Sequence, residues 1–175
     1  MKIRIILLAV VSLSPFWGCS ESKNPLVSMD EGSGWISLFD GKTLQGWRGY
    51  NGIEIQGSWT AENGELQLEP ISPDGAQVNI ITESQYDDFD LRFEWKLEAG
   101  TNSGVMFHVG EGPRKPYLTG PEYQILDNLG FRNRKGLPVT PKEHTASHYS
   151  IEAPASDETK RIGDWNSSRI VVQGN

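Results

Sequence analysis

From Phe89 to Leu97 every odd position is apolar and every even position is charged. A period of two sustained over this length predicts a half-buried β-strand. Phe89, Leu91, Phe93, Trp95 and Leu97 then face a core. Asp90, Arg92, Glu94 and Lys96 share the other face. The same alternation predicts a second strand over Gly104–Val109, entered through the turn-rich run Gly100–Gly104, and a third over Glu122–Asp127. In the third, Glu122 and Gln124 fall on one face and Tyr123 and Ile125 on the other. If the three strands are neighbours, one sheet face gathers Arg92, Glu94, Glu122 and Gln124, with Asp127 and Asn128 at the strand end. A solvated outer face, which antiparallel sheets commonly have, gives the same pattern.

Shorter signals surround this centre. Trp35–Phe39 reads as a strand that ends at the Asp40-Gly41 turn. Trp59–Leu68 reads as a hairpin, because Asn63-Gly64 suits the two left-handed positions of a type I′ turn. Gln77–Thr82 and Arg169–Val172 read as further strands, and Ser147–Ile151 as a short one. The runs Gly110–Gly120 and Asn128–Ala146 lack periodicity. Loops of such length usually have a function. No helix longer than a turn or two is predicted. Short strands, turn signals and aromatic anchors together indicate an all-β antiparallel sandwich.

The chain has 175 residues, enough for one domain with a sizeable core. Its formal net charge of −7 argues against nucleic acid or an anionic membrane surface as partner. The N-terminus departs from the domain pattern. Met1–Arg4 is basic, and Ile5–Leu13 is an apolar run too short to span a bilayer. Cys19, the single cysteine, follows. Residues 1–18 are expected to be a lipoprotein signal peptide with lipid attached to Cys19, which places the protein across the inner membrane, anchored in the periplasm or outer membrane; plain secretion is the alternative. Residues 19–34 read as a flexible tether and 35–175 as the folded domain.

Four segments carry a family resemblance. Leu38–Leu44 with Gly46-Trp47, Phe89–Trp95 with Asn102–Val105, Gly120–Asn128, and Gly163–Val172 occur in the order found in the 3-keto-disaccharide hydrolase domain, which the chain resembles from about Trp35 onward. The resemblance implies a concanavalin-A-like jelly-roll sandwich whose concave sheet holds a sugar, and breakdown of 3-keto-glycosides or 3-keto-disaccharides at the bacterial envelope. Members of the family continue past the last motif with a His-Trp-Leu-Asn-Gly-like hairpin, so a jelly roll without its last strands is expected here.

A ketone at C3 of a sugar acidifies the C2 proton. A base can remove it, the C1 leaving group can depart by β-elimination, and water can add back. This route needs a base, a stabiliser for the enolate oxygen and an acid for the leaving oxygen. Glu122 is the first candidate for base, since a carboxyl in an enclosed groove has a raised pKa; holding sugar hydroxyls is its other reading. Arg92 is the candidate enolate stabiliser or a structural ion-pair partner. Asp127 is an acid, a metal ligand or a turn cap, and His148 is a further titratable candidate, ahead of His108 and His144. Glu94, Asn102, Gln124, Tyr149 and Trp165 are candidate sugar contacts, with Trp47 and Trp59 readable as stacking platforms or core anchors. There is no HxxxH or CxxC spacing. A hard divalent metal ion on carboxylates and carbonyls is compatible with the acid set and would polarise the ketone. The competing reading of the domain is a non-catalytic, lectin-like carbohydrate-binding module, because fold does not fix function.

Overall fold

The computed structural model describes residues 35–55, 58–68 and 78–174, and the backbone of 3–10. Ten strands follow in chain order: β1 Ile3–Val10, β2 Trp35–Ile36, β3 Trp47–Gly49, β4 Trp59–Glu62, β5 Glu65–Leu68, β6 Ile80–Thr82, β7 Phe89–Leu97, β8 Asn102–Met106, β9 Glu122–Leu126 and β10 Asn166–Val172. The described pairings are all antiparallel.

The largest sheet runs β10-β7-β1-β5-β4, with β2 added on β1. Strand β7 is its spine and keeps the predicted alternation. Leu91, Phe93, Trp95 and Leu97 are buried, while Arg92 and Glu94 between them are exposed. The β4–β5 hairpin turns at Asn63 (φ 54°) and Gly64 (φ 79°), the left-handed pair that a type I′ turn demands. The apolar run assigned above to a targeting segment is here the strand β1, inserted between β5 and β7. An unbroken aliphatic run suits a strand flanked on both sides as well as it suits a signal.

A second layer is built on β8 and β9, paired from Asn102↔Leu126 to Met106↔Glu122. Strand β8 begins and ends earlier than its alternation predicts, because His108 takes a left-handed conformation (φ 50°) that ends the ladder. The segment around Ser147–Tyr149 lines the free edge of β9. Its bonds are Tyr149 N–H to Glu122 O (3.0 Å), Gln124 N–H to Ser147 O (3.2 Å) and Ala146 N–H to Gln124 O (2.9 Å).

The core lies between the layers. Leu66, Leu68, Leu91, Phe93, Trp95, Leu97 and Ile170 from the large sheet meet Ile125, with Val105 and Tyr123 packed against the cluster. Phe93 and Tyr123 meet edge to face at 5.7 Å. Ser168 Oγ ties the layers together, accepting from Trp95 Nε1–H (2.8 Å) and bonding the Tyr123 hydroxyl (2.8 Å). Trp47 and Trp59 are anchors, not platforms: their indole N–H groups donate to Leu38 O (2.6 Å) and Val78 O (2.8 Å). The all-β antiparallel sandwich expected from the sequence is the architecture found, but β7 pairs with β1 and β10 and not with β8.

Candidate active site

The two layers separate the residues that the sequence placed on one face. Core residues occupy one side of β7, so Arg92 and Glu94 point away from the core on the outside of the large sheet. Tyr123 and Ile125 occupy the core side of β9, so Glu122 and Gln124 point outward from the other layer. Arg92 and Glu94 therefore lie across the sandwich from Glu122, which corrects the expected grouping. Its cause is the pairing of β7: period-two alternation fixes faces but not which strand lies next door. Arg92 instead sits over the Trp35 ring at 4.3 Å and near Asp90 Oδ2 at 3.8 Å. Glu94 accepts a long bond from Ser167 Oγ (3.4 Å). Trp165 belongs to the same outer surface, with Lys96 Nζ 4.5 Å from its ring.

Asp127 is buried, and its carboxylate is used up by backbone. Oδ2 accepts from Gly100 N–H (2.7 Å), and Oδ1 from Leu129 N–H (3.2 Å) and Gly130 N–H (2.8 Å). It clamps the turn before β8 to the turn after β9. That is the turn-cap alternative.

Glu122, Asn102, Gln124, Tyr149 and His148 are brought together. Glu122 opens β9 directly after Gly120-Pro121 and lies diagonally across the β8–β9 pair onto Gly104. Burial pushes its carboxyl up from 4.5 to about 7. Tyr149 faces it from the segment beside β9. Burial comes first among the causes that raise the Tyr149 phenol, followed by the negative charge of Glu143, with that of Glu122 a smaller contributor. Glu143 is itself fixed, accepting from Thr140 N–H (2.9 Å) and Thr140 Oγ1–H (2.8 Å) in a capping box. Deeper in, Gln124 Nε2 donates to Asn102 Oδ1 (3.2 Å). Gln124 Oε1 and Ser147 Oγ are buried and have no protein partner among the described residues.

The long loop 128–146 is bound back onto β9. Thr145 N–H donates to Asn128 Oδ1 (2.8 Å), and Thr145 Oγ1 both accepts from Leu126 N–H (2.7 Å) and donates to Leu126 O (2.8 Å). Its far end delivers Ser147, His148 and Tyr149 to the site. A cleft of about 240 Å³ opens here, lined by Phe107, Glu122, Tyr123, Ala146, Ser147, His148, Arg169 and Ile170. His148 is exposed on it and is bridged to Tyr123. Among the other histidines, His108 is held at Asp87 O (2.8 Å). Among the described residues, no three His, Cys, Asp or Glu side chains converge as a metal site requires. Cys19 lies outside the described residues.

Sequence reasoning did not find Gly104, Ser147 or the apolar wall of Phe107 and Ile170. The signal for Gly104 was available, since a glycine inside a strand pattern marks a close approach. Ser147 gave none, because its burial is set by tertiary contacts.

The antiparallel sandwich thus gathers a carboxyl, two amides and a phenol on one face of the β8–β9 layer, beside a cleft. A crystal structure from Parabacteroides distasonis, provisionally described as a glycosyl hydrolase, superposes with a TM-score of 0.68 at 31% identity, covering 78% of this chain and 63% of that one. The chain belongs to the 3-keto-alpha-glucoside-1,2-lyase-like domain family, whose model matches residues 34–175. A 3-keto-disaccharide hydrolase of Bacteroides thetaiotaomicron is 31% identical over 156 residues, 81% of this chain. The match spans 53% of that relative, so the chain corresponds to about half its length.

Proposed function

We propose that this domain cleaves glycosides that carry a ketone at C3, with Glu122 as the base that removes the C2 proton. One observation carries the reading: burial pushes the Glu122 carboxyl up to about 7 beside the Tyr149 phenol, in a family described by 1,2-lyase chemistry. A carboxylate whose conjugate acid has a pKa near neutrality is a far better base than an ordinary glutamate and is still ionised in half the molecules at that pH.

Glu122 takes the proton from C2, and the electron pair moves to the C3 oxygen as an enolate. The enolate collapses and the C1–O bond breaks, leaving a C1–C2 double bond. The departing oxygen takes a proton from the Tyr149 hydroxyl, whose raised pKa keeps it protonated until it is needed. Water then adds at C1 and gives its proton to the Tyr149 phenolate, while C2 regains a proton from Glu122, so the net change is hydrolysis and both side chains are restored. Beneath Glu122, the Gln124–Asn102 amide pair holds the β8–β9 layer in place. Phe107, Tyr123 and Ile170 provide the apolar wall. His148 lies at the solvent side of the cleft, where it can relay protons.

The export reading is part of the same proposal. Residues 1–18 direct the chain across the inner membrane, cleavage precedes Cys19, and a lipid on its sulfur anchors the domain through the 19–34 tether. Strand β1 then belongs to the unprocessed chain. The mass of the mature N-terminal peptide tests this directly.

The functional test offers the protein a glucoside and its 3-keto form in parallel. Cleavage of the 3-keto form alone supports the proposal. Cleavage of the plain glucoside indicates an ordinary glycosidase, and binding without turnover indicates a carbohydrate-binding module.

A further inference from the structure

A glycine inside a strand has no side chain to pack and weakens the ladder, so its presence needs a reason. Gly104 is the central residue of β8, and its backbone is not in the left-handed region where glycine is needed. Any residue could adopt its conformation. What the position requires is empty space. A Cβ built on Gly104 would stand 2.8 Å from both Cγ and Cδ of Glu122 and closer still to Oε1. In the ladder Gly104 lies opposite Gln124 and Met106 opposite Glu122, so the Glu122 side chain reaches diagonally over the gap that the missing Cβ leaves.

We infer that Gly104 is a positioning residue for Glu122: its bare backbone is the seat on which the carboxyl lies, and any side chain there lifts the carboxyl off the sheet. The catalytic weight of this inference rests on Glu122 being the base, whereas the seating itself does not. Seated flat, the carboxyl gives one face to the peptide plane of β8 and loses the water that would surround an extended glutamate. The titratable and charged groups around it are Tyr149, with Glu143 behind it, and His148 and Arg169 on the cleft wall; β8 contributes none. The Arg169 guanidinium is taken by Asp90, and loss of water is the cause that raises the Glu122 carboxyl.

The test titrates the Glu122 side-chain carboxyl by carbon-detected NMR in the wild type, in Gly104→Ala and in Gly104→Ser. In the wild type it titrates near 7. In both variants it moves by about one unit or more toward 4.5, because the displaced carboxyl regains water. The acid limb of the kcat/KM profile on a 3-keto-glycoside moves with it. An unchanged titration in a folded Gly104→Ala variant overturns the inference. A moved titration with an unmoved acid limb upholds the seat and removes Glu122 from the role of base. Thermal melts of Gly104→Ala with and without Glu122→Ala decide the matter independently of activity. Alanine at 104 lowers Tm, or prevents folding, with Glu122 present and is neutral or stabilising with Glu122→Ala. An equal loss in both backgrounds, including failure of both to fold, overturns the inference.

Discussion

Replacing Glu122 by glutamine should stabilise this protein while disabling it, and only above a particular pH. The fold raises the Glu122 pKa from 4.5 to about 7, because the charged form is costly where the side chain lies. Such a group favours the folded state fully below pH 4.5, and its contribution is lost as pH rises through 7. A shift of this size corresponds to roughly 3 kcal/mol, and residual contact of the carboxyl with water reduces it to about 2 kcal/mol. Glutamine has the same shape and never ionises. The difference between Glu122→Gln and wild type is therefore near zero at pH 4, grows between pH 4.5 and 7, and is constant above about pH 8. For a chain of this length each kcal/mol moves Tm by roughly 2–4 °C, so the plateau is about 4–8 °C. Melts of both proteins at pH 4.5 and 8.5 give the answer, because contributions of all other groups cancel in the difference. A gain of equal size at both values would refute the reasoning, as would no gain at pH 8.5. Over the same range kcat/KM of the wild type should rise with pH through about 7 and then level off, since only the ionised carboxylate accepts the C2 proton.

Tyr149→Phe keeps the ring and removes the acid; kcat should fall about 100-fold or more on a poor leaving group and far less on an activated phenolic one, with KM little changed. An equal loss on both leaving groups would exclude Tyr149 as proton donor. Arg92→Ala should leave kcat/KM within about twofold and cost at most about 1 kcal/mol, because it removes only a surface ion pair and a contact with Trp35; a large loss of kcat would place Arg92 back in the chemistry. Asp127→Ala removes the acceptor of Gly100, Leu129 and Gly130 N–H groups, and denaturant unfolding should show a loss of about 3 kcal/mol.

Alternation made the strands readable. Phe89–Leu97 shows its buried and exposed faces directly, and Asn63-Gly64 announces its own turn. Partner choice was not readable in the same way. Arg92 and Glu122 each sit correctly on an outward face, yet the faces belong to different layers, because β7 takes β10 and β1 as neighbours while β8 takes β9. Local pattern cannot fix a pairing made over long sequence separation. Glu122, Gln124, Asn102, His148 and Tyr149 were all visible as candidates, since each is a polar residue in or beside a strand pattern. Asp127 shows the converse. Its backbone partners at Gly100, Leu129 and Gly130 come together only when two distant turns meet. Gly104 matters through the absence of an atom, which becomes legible only once Glu122 is known to lie above it.

Transfer of hydrogen at C2 is the step on which the mechanism depends. A 3-keto-glycoside deuterated at C2, incubated with the protein in ordinary water, should yield 3-keto sugar whose C2 deuterium has been exchanged for solvent hydrogen, with a primary isotope effect on the rate and loss of both reactions in Glu122→Gln. Product that keeps its deuterium at C2 and forms without an isotope effect would contradict removal of that proton by Glu122.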